Sequence, residues 1–538
     1  MKMIEEGKSM SVFDTDEYIP TDKEHYKSLI VNAKPYDYTD LGQTQAFYRY
    51  FSPIIKYTTA TNFLYYDGRK WIESDTEIHK LIQEFTDIQL EQALSQLQRA
   101  QQIENDSALN KDKENNKKAN KLIKEAKNYR AHVLNSRNTL RINAVLTELK
   151  PMVEIDISKF DENGLLLNTP YGTIELDKAE IRENDSEDYC TKTTGCVLSD
   201  ENYDLFLDFI DTITCGNNEL AKYLQLIAGM FAVGEVYCEN LVIAYGSGRN
   251  GKSTFFNLLS KVLGDYSGCI SAETLTTNCR KNKSPEYAEL KGKRLVIAAE
   301  LEEGVRLDTA IVKKICSTDL IYAEKKYKAP FSFKPSHTVV LFTNHLPNVG
   351  TTDTGTWRRL IVIPFNAVIE KNDDIKNYAD YLFKEAGGAV LNWIVSGAYK
   401  FIQSGCKIET PQIVEEAIEN YRKANDWLNN YITECCEVDN SYIQSSSELY
   451  ENYRQYCSRN GEYIRNSSNF KEALENAGYT YTRKNTGRFW CGLKIAEPKT
   501  EMKMPYITRI TSNHSSDYKV TESDSKIQNS YNDDFVEF

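Results

Sequence analysis

The feature that most constrains the fold is a glycine-rich loop between a short apolar run and an amphipathic helix. Residues 246–253 read Gly-Ser-Gly-Arg-Asn-Gly-Lys-Ser and match the pattern G-x-x-x-x-G-K-[ST]. The preceding residues 241–245 form an apolar run of the kind found in buried parallel strands. Residues 253–263 follow with apolar positions at helical spacing and end at Gly264. This order of elements predicts a phosphate-binding turn in an α/β domain.

The residue types in this loop suit a nucleoside triphosphate. Glycines permit positive φ angles and close backbone approach, so amide N–H groups can surround phosphates at a helix N-terminus. Lys252 is expected to reach the β- and γ-phosphates, and the Ser253 hydroxyl to bind Mg²⁺. ATP and Mg²⁺ are therefore the expected ligands. The predicted nucleotide-binding residues are Gly246, Gly248, Asn250, Gly251, Lys252, Ser253 and Thr254.

Two further apolar runs end in polar residues that could complete a hydrolytic site. Residues 294–299 are followed by Glu300, which we expect to orient the attacking water beside Mg²⁺ and so to serve as a catalytic and metal-site residue. Glu302 and Glu303 follow closely, and a solvated role suits them at least as well. Residues 338–343 are followed by Asn344, whose amide could sense the γ-phosphate. A strand-end asparagine is otherwise a common turn residue.

Adjacent arginines and a basic segment suggest two more functional contacts. Arg358 and Arg359 precede an apolar run, and one of them could act as an arginine finger in a neighbouring subunit while the other is structural. We favour Arg359 for the finger. Residues 322–335 resemble a hairpin whose lysines and tyrosine could grip single-stranded DNA. The alternative is a charged hairpin that only protects a sheet edge. The predicted DNA-binding residues are Lys325, Lys326, Tyr327 and Lys328.

Composition limits the classes of protein that fit this chain of 538 residues. Hydrophobic residues make up 41% and charged residues 27%, which suits a soluble protein with several cores. No apolar run approaches 18 residues and the start lacks a secretory pattern, so a cytoplasmic location without membrane contact is expected, in a bacterial host. The net charge of −13 argues against nucleic acid wrapped over the whole surface but permits a local basic channel. The twelve cysteines lack C-x-x-C spacing, so reduced thiols are expected rather than a zinc site.

Taken together, these motifs resemble superfamily 3 helicases. The order of the glycine loop, the strand ending Ala-Glu, the basic hairpin, Thr-Asn-His-Leu-Pro at 343–347 and Trp-Arg-Arg at 357–359 carries the resemblance. More narrowly, the chain is similar to the phage and plasmid primase–helicase family that is related to the poxvirus primase-helicase. The likeness covers residues 144–404 and is weaker as far as 493. It implies an AAA+-like P-loop ATPase core, a homo-hexameric ring and ATP-driven 3′-to-5′ travel on single-stranded DNA during replication of a phage, plasmid or other mobile element.

The resemblance and the changes in composition predict an α/β fold class. They also divide the chain into five segments. A helical and small-β accessory domain is expected before the motor, and a winged-helix-like domain with basic residues Arg483, Lys484 and Arg488 after it. The predicted segments are an N-terminal region with a charged connector (1–140), an accessory or collar domain (141–235), the ATPase core (236–405), the winged-helix-like domain (406–498) and a disordered acidic tail (499–538). Within the first segment, residues 105–127 are expected to be solvated helices or a flexible connector.

The sequence also bears on whether the chain makes primers and on two alternative functions. Many relatives carry an N-terminal primase domain, but the acidic pairs at 14–16 and 154–156 stand in no convincing context. We therefore expect that this chain does not prime, and that a separate primase or single-strand binding protein is a partner. An origin-binding initiator whose ATPase controls assembly is a second reading of the same motifs. A P-loop kinase is a third, against which Asn344 and the paired arginines argue.

Overall fold

The structure, a computed structural model, describes residues 23–277, 284–324, 329–349, 354–370 and 375–496. It divides into two compact units, the first ending at Trp427 and the second starting at Leu428. None of the helices within these ranges is both long and apolar enough to cross a membrane. The predicted disordered tail, residues 499–538, lies outside the described residues.

The first unit begins with helices and two small antiparallel sheets of three strands each. One hairpin turns at Asp67-Gly68, with Tyr66 opposite Trp71, and two short strands flank Pro170-Tyr171. The elements are α1 (Lys23–Ser28), α2 (Asp40–Phe51), β1 (Ile55–Thr58), β2 (Asn62–Tyr66), β3 (Trp71–Glu73), α3 (Asp75–Leu109), α4 (Lys113–Ser136), α5 (Thr139–Leu149), β4 (Leu166–Thr169), β5 (Gly172–Glu175) and β6 (Glu180–Arg182).

Helices α3 and α4 pack along each other as a long two-helix arm. The Asp112 side chain caps α4 by accepting hydrogen bonds from the backbone N–H groups of Glu114 and Asn115, each at 3.1 Å. Buried residues recur along α4 at intervals of three and four, including Ala119, Ile123 and Ala126. Of the two alternatives expected for residues 105–127, the helical one is therefore correct, because a narrow apolar stripe suffices for a two-helix contact.

A five-stranded parallel sheet forms the centre of the first unit, in the order β13-β7-β12-β9-β8. Val242 and Ala244 of β7 pack into the core on one side and Leu241 and Ile243 into the core on the other. The predicted wound α/β sheet is confirmed. Its elements are α6 (Tyr203–Thr214), α7 (Asn218–Ala232), β7 (Leu241–Tyr245), α8 (Lys252–Leu263), β8 (Ser267–Ser271), α9 (Ser284–Ala288), β9 (Leu295–Ala299), α10 (Thr309–Ile315), β10 (Ile321–Ala323), β11 (Phe331–Phe333), β12 (Thr338–Thr343), α11 (Thr354–Trp357), β13 (Leu360–Pro364), α12 (Tyr378–Gln403) and α13 (Gln412–Ala424).

Strands β10 and β11 form an antiparallel hairpin within the segment that connects β9 to β12. Ile321 pairs with Phe333 and Ala323 pairs with Phe331. Ile321, Ala323 and Phe333 are buried, so the base of the hairpin is anchored in the core. The predicted DNA-binding residues Lys325, Lys326, Tyr327 and Lys328 lie outside the described residues.

Helix α13 lies in the first unit, although a domain boundary was predicted before it, at residue 406. Val414 is fully buried in one core and Tyr421 is buried in the other. The Tyr421 hydroxyl donates a hydrogen bond to the Pro347 carbonyl oxygen, and its ring meets that of Trp357 edge-on at a centroid distance of 5.3 Å. These contacts place the division of the chain after α13, near Trp427.

The second unit combines helices with a three-stranded antiparallel sheet in the order β14-β16-β15. Tyr453 and Phe470 stack at a centroid distance of 4.6 Å in its core. The basic residues Arg483, Lys484 and Arg488 lie on a hairpin in which Lys484 is opposite Gly487. The elements, the first of which begins at the boundary, are α14 (Trp427–Cys435), β14 (Cys436–Ser445), α15 (Ser446–Asn460), α16 (Ser467–Asn476), β15 (Thr480–Lys484) and β16 (Gly487–Ile495).

Candidate active site

Three strands of the parallel sheet end at the same edge and bring the predicted site residues together. Strand β12 pairs with β7 on one side and with β9 on the other. The glycine loop follows β7, Glu300 follows β9, and Asn344 follows β12. Because parallel strands share the edge at which their carboxyl ends meet, these three segments surround one cleft.

The glycine loop needs two of its glycines for different reasons. Gly251 has φ +76° and precedes the first turn of α8, and a side chain there would also meet Ile213. Gly246 lies against the end of β13, where an added Cβ would be 2.3 Å from the Phe365 carbonyl oxygen. Gly248 has no atom within 4 Å of such a Cβ. The backbone of the loop is therefore held close to β13 at Gly246 and is open at Gly248.

Asn250, predicted as a nucleotide-binding residue, braces the loop from inside. Its side chain is buried and its Nδ2 donates hydrogen bonds to the carbonyl oxygens of Ser247 at 2.6 Å and Phe365 at 3.1 Å. Its Oδ1 accepts from the Lys252 backbone N–H at 3.3 Å. The loop is thus preorganised by an amide that has both donors and an acceptor engaged.

Lys252 is a buried cation whose hydrogen-bond partners are uncharged. Its side-chain Nζ donates to the Gly246 carbonyl oxygen at 3.3 Å and to the Asn344 Oδ1 at 2.9 Å. Burial lowers the pKa of Lys252, and the nearby Glu300 carboxylate opposes that shift. Binding of an anion would stabilise this ammonium group, because the positive charge is only partly compensated by its surroundings.

Glu300 has an unusual backbone conformation for a residue with a side chain. Its φ is +54°, in the left-handed region that costs free energy for residues other than glycine. Its backbone N–H donates to the Phe342 carbonyl oxygen at 3.0 Å, so β12 holds it in place. The side chain is exposed to the cleft, as are those of Ser253 and Asn344.

These groups enclose a cleft of about 240 Å³. The predicted residues Gly248, Asn250, Gly251, Lys252, Ser253, Thr254, Glu300 and Asn344 all line it, together with Arg249, Phe342, Thr343 and Ile369. Gly246 stands behind the cleft as a contact of Lys252. Glu302 and Glu303 are exposed residues of the loop that follows Glu300.

The two adjacent arginines have different surroundings. The Arg359 side chain is 12% exposed, pairs with the Glu239 carboxylate, and donates to the Gly355 carbonyl oxygen at 2.8 Å. The Arg358 side chain is 69% exposed and has Glu239 at the longer distance of 3.9 Å. The arginine that was favoured for a contact with another subunit is therefore the one engaged within its own chain.

Sequence reasoning missed the groups that support this site from a distance. Phe365 contributes a backbone carbonyl, Ile369 donates its N–H to the Arg249 carbonyl oxygen at 2.8 Å, and Glu239 pairs with Arg359. A contact made through a backbone group does not depend on the type of residue, so the sequence does not indicate it. Glu239 stands just before β7, where an acidic residue is unremarkable by itself.

Comparisons with known families match three successive parts of the chain. Residues 44–215 match a family described as D5 N terminal like, residues 244–359 a family of unknown function, DUF5906, and residues 423–511 a family described as Poxvirus D5 protein-like. The second match contains the glycine loop, Glu300 and Asn344. The first and third flank it in the order expected for one multidomain protein.

Viral proteins are similar over long stretches at low identity. A protein of Acanthamoeba polyphaga mimivirus, named as a candidate helicase (L207/L206), is 26% identical over 436 residues, which are 76% of this chain and 44% of that protein. A candidate helicase of Frog virus 3 (022R) is 26% identical over 40% of this chain and 24% of its own length. A candidate primase of African swine fever virus (C962R) is 26% identical over 36% of this chain and 22% of its own length. The chain thus spans less than half the length of each of these relatives.

Among solved structures, the apo C-terminal region of NrS-1 matches 59% of this chain and 81% of that chain, at 12% identity and a TM-score of 0.35. A score of this size does not define a shared fold. The assignment therefore depends on the sequence matches: two D5 family models frame the residues of the cleft, and the viral relatives extend over the same region. Together, the two D5 family models and the viral relatives support a D5-like primase–helicase family for this chain.

Proposed function

We propose that this chain is the ATP-driven motor of a DNA helicase that acts in the replication of a virus or other mobile element. The observation that carries the proposal is the meeting of Lys252, Glu300 and Asn344 around one cleft at the carboxyl edge of a parallel sheet. In this reading the sheet is the core of an AAA+-like P-loop ATPase. Viral relatives named as candidate helicases support the same assignment.

The cleft suits a nucleoside triphosphate with Mg²⁺. Gly246 lets the loop backbone lie close to the end of β13, and the buried Lys252 ammonium donates its hydrogen bonds to neutral oxygens. Among the described residues, no group of three or more His, Cys, Asp or Glu side chains is arranged around a metal position. Mg²⁺ commonly binds through one or two protein oxygens together with phosphates and water. Ser253 and Glu300 would hold it, and the ion would neutralise charge on the phosphates.

Each residue has a separate task in hydrolysis. Lys252 and the loop amides bind and orient the phosphates, which contributes most of the catalysis expected in phosphoryl transfer. Glu300 positions the attacking water and accepts its proton. Asn344, which contacts Lys252 at 2.9 Å, is placed to exchange that contact for one with the γ-phosphate. Because Asn344 ends β12, its movement would reach the neighbouring strand β9.

Arg358 is our choice for a finger that acts on a neighbouring subunit. Its side chain is mostly exposed, whereas Arg359 is held by Glu239. This assignment reverses the preference that the sequence suggested. It requires an oligomer, and we propose the homo-hexameric ring that the family resemblance implies.

Contacts with DNA are proposed at two places. The β10–β11 hairpin would present Lys325, Lys326, Tyr327 and Lys328 to single-stranded DNA, with travel in the 3′-to-5′ direction. The second unit would act as a winged helix, since Arg483 and Arg488 face each other across its exposed hairpin. Priming is assigned to a partner, as is the coating of single strands.

The first experiment measures ATP hydrolysis by the unaltered chain, Lys252→Ala and Lys261→Ala, each with and without single-stranded DNA. Lys261 is the matched control, because it lies on the same helix and its ion pair with Asp380 is solvent-exposed. We expect hydrolysis that DNA stimulates in the unaltered chain and in Lys261→Ala. In Lys252→Ala it should fall at least about a hundredfold, since transition-state charge loses its nearest cation.

Three results would count against the motor. Hydrolysis that is indifferent to DNA, with ring assembly on duplex DNA and no strand displacement, would support the initiator reading. Phosphate transfer to a small acceptor instead of water would support a kinase. Full activity in Lys252→Ala would remove the cleft from the reaction altogether.

A further inference from the structure

The α3–α4 arm carries a stripe of lysines along its outer face. Between residues 111 and 130 the chain has eight lysine and arginine residues against three acidic ones, in a protein whose net charge is −13. Five of these lysines are exposed and recur along α4 at intervals of four, four, three and three residues, which keeps them on one side of the helix. The stripe consists of Lys113, Lys117, Lys121, Lys124 and Lys127.

The stripe lies opposite the surface that α4 uses for packing. Ala119, Ile123, Ala126 and Val133 are buried on the inner side of α4. The contact between the two helices therefore does not explain the number of lysines. At 1.5 Å per residue, the stripe is about 21 Å long.

The five lysines are not neutralised by nearby acidic groups. Within the described residues, none of them forms an ion pair, whereas Lys118 on the flank of the stripe pairs with Glu114 at 3.3 Å. The stretch of α3 beside the stripe, residues 95–109, contains Arg99, Glu104 and Asp106, and none of the five lysines pairs with either acid. A face that served solubility alone would ordinarily carry charges of both signs. The arm instead has a row of free cations.

The row matches the backbone of a nucleic acid better than a protein surface. A duplex places phosphates in regular rows, and lysines bind them through charge without requiring a fixed geometry. Binders of single strands combine such charges with exposed aromatic rings. The aromatic residue of α4, Tyr129, is fully buried. These properties favour a duplex over a single strand.

We propose that the α3–α4 arm binds double-stranded DNA through the lysine stripe, without reading its sequence. This contact goes beyond the motor assigned above and is separate from the ATP cleft. It would tether the protein to the duplex while the motor works on a single strand.

The test measures the affinity for a blunt 30-base-pair duplex by fluorescence anisotropy, at salt concentrations from 50 to 200 mM. All proteins carry Lys252→Ala and no ATP is added, so the result does not depend on hydrolysis. The arm variant has the five lysines changed to Gln, which preserves helix propensity. The control variant changes five exposed lysines elsewhere to Gln, namely Lys80, Lys178, Lys222, Lys384 and Lys423. A third variant changes the stripe to Arg.

We expect the arm variant to bind at least tenfold more weakly at 50 mM salt. Its salt dependence, plotted as log K against log salt, should be shallower by about 4.5, since each of the five lost phosphate contacts removes about 0.9. The control and the Arg variants should bind as the parent does. Equal affinity and equal slope in the arm and control variants would overturn the proposal.

A second measurement covers the case in which the Gln variant loses helical structure. Duplex DNA should protect the stripe lysines of the parent protein from chemical acetylation, whereas the five control lysines should react as in free protein. Equal reactivity of the stripe with and without duplex would refute the contact. With an intact Lys252, the arm variant should retain hydrolysis stimulated by single-stranded DNA, which separates this proposal from that of the motor.

Discussion

Arg358 and Arg359 are neighbours in sequence with opposite solvent exposure, and this difference separates function from stability. Arg358→Ala should leave the fold intact and reduce ATP hydrolysis at least about a hundredfold, as expected for loss of an arginine finger. Arg359→Ala should lower the free energy of unfolding by about 1–3 kcal/mol, because it removes the ion pair with Glu239 and the hydrogen bond to the Gly355 carbonyl oxygen. Thermal unfolding and hydrolysis rates measured on both variants check this.

The reverse pattern would return the finger to Arg359. In mixed rings, Arg358→Ala subunits that retain Lys252 should be combined with Lys252→Ala subunits that retain Arg358. Recovery of activity in such mixtures indicates that the arginine acts across a subunit boundary. A mixture as inactive as either variant alone would place Arg358 in its own subunit's site.

At the residue scale, sequence was informative where the chemistry follows strand ends. Glu300 and Asn344 directly follow apolar runs, Lys252 lies at the end of the glycine loop that follows a third run, and parallel pairing brings the ends of these runs together. The surroundings of Asn250 and Arg359 could not be predicted in the same way. Their partners Phe365 and Glu239 lie 115 and 120 residues away in sequence, and only the tertiary fold determines those contacts.

His337 introduces a pH dependence at the start of β12. It is fully buried, and burial lowers its pKa to about 4, against a smaller opposing effect of the Ile315 backbone. Between pH 6.5 and 4 the unfolded chain binds a proton at His337 that the folded chain does not. Stability should therefore fall as pH falls through this range, by about 3 kcal/mol in total for this group.

Denaturant unfolding at several pH values tests this. His337→Leu should flatten the stability profile between pH 6.5 and 4, whereas the exposed His345→Gln should leave it unchanged. If both variants lose stability on acidification as steeply as the parent, carboxylates elsewhere account for the acid sensitivity.

At the element scale, predictions were limited by sparse apolar patterns. In residues 105–127 the buried positions of α4 are mostly alanine among lysines and asparagines, so a two-helix contact could not be told from a solvated connector. The unit to which helix α13 belongs depends on its contacts with Trp357 and Pro347, which lie far upstream and which no local pattern indicates. The small sheets were easier, since Asp-Gly turns and alternating strands are local signals.

The division of the whole molecule after α13 predicts how it can be truncated. A chain that ends after Trp427 retains Val414 and Tyr421 in the core, whereas a chain that ends after Gly405 loses both. The shorter chain should melt about 5 °C lower, because burial of two large side chains is lost. Differential scanning calorimetry on both chains measures the difference. Equal melting temperatures would mean that α13 belongs with the second unit.

The β10–β11 hairpin belongs to the segment that connects β9 to β12, two strands that are hydrogen-bonded to each other. Strands β9 and β12 pair directly, and the base of the hairpin is anchored where Ala323 meets Phe331. Whatever lies beyond that base can lengthen, shorten or change its residues without disturbing the edge that carries Glu300 and Asn344. In the proposed motor, contact with DNA and hydrolysis of ATP would therefore be carried by separate segments that can vary independently. The segment between β10 and β11 could be exchanged between two relatives. The recipient should then acquire the donor's preference for one kind of nucleic acid.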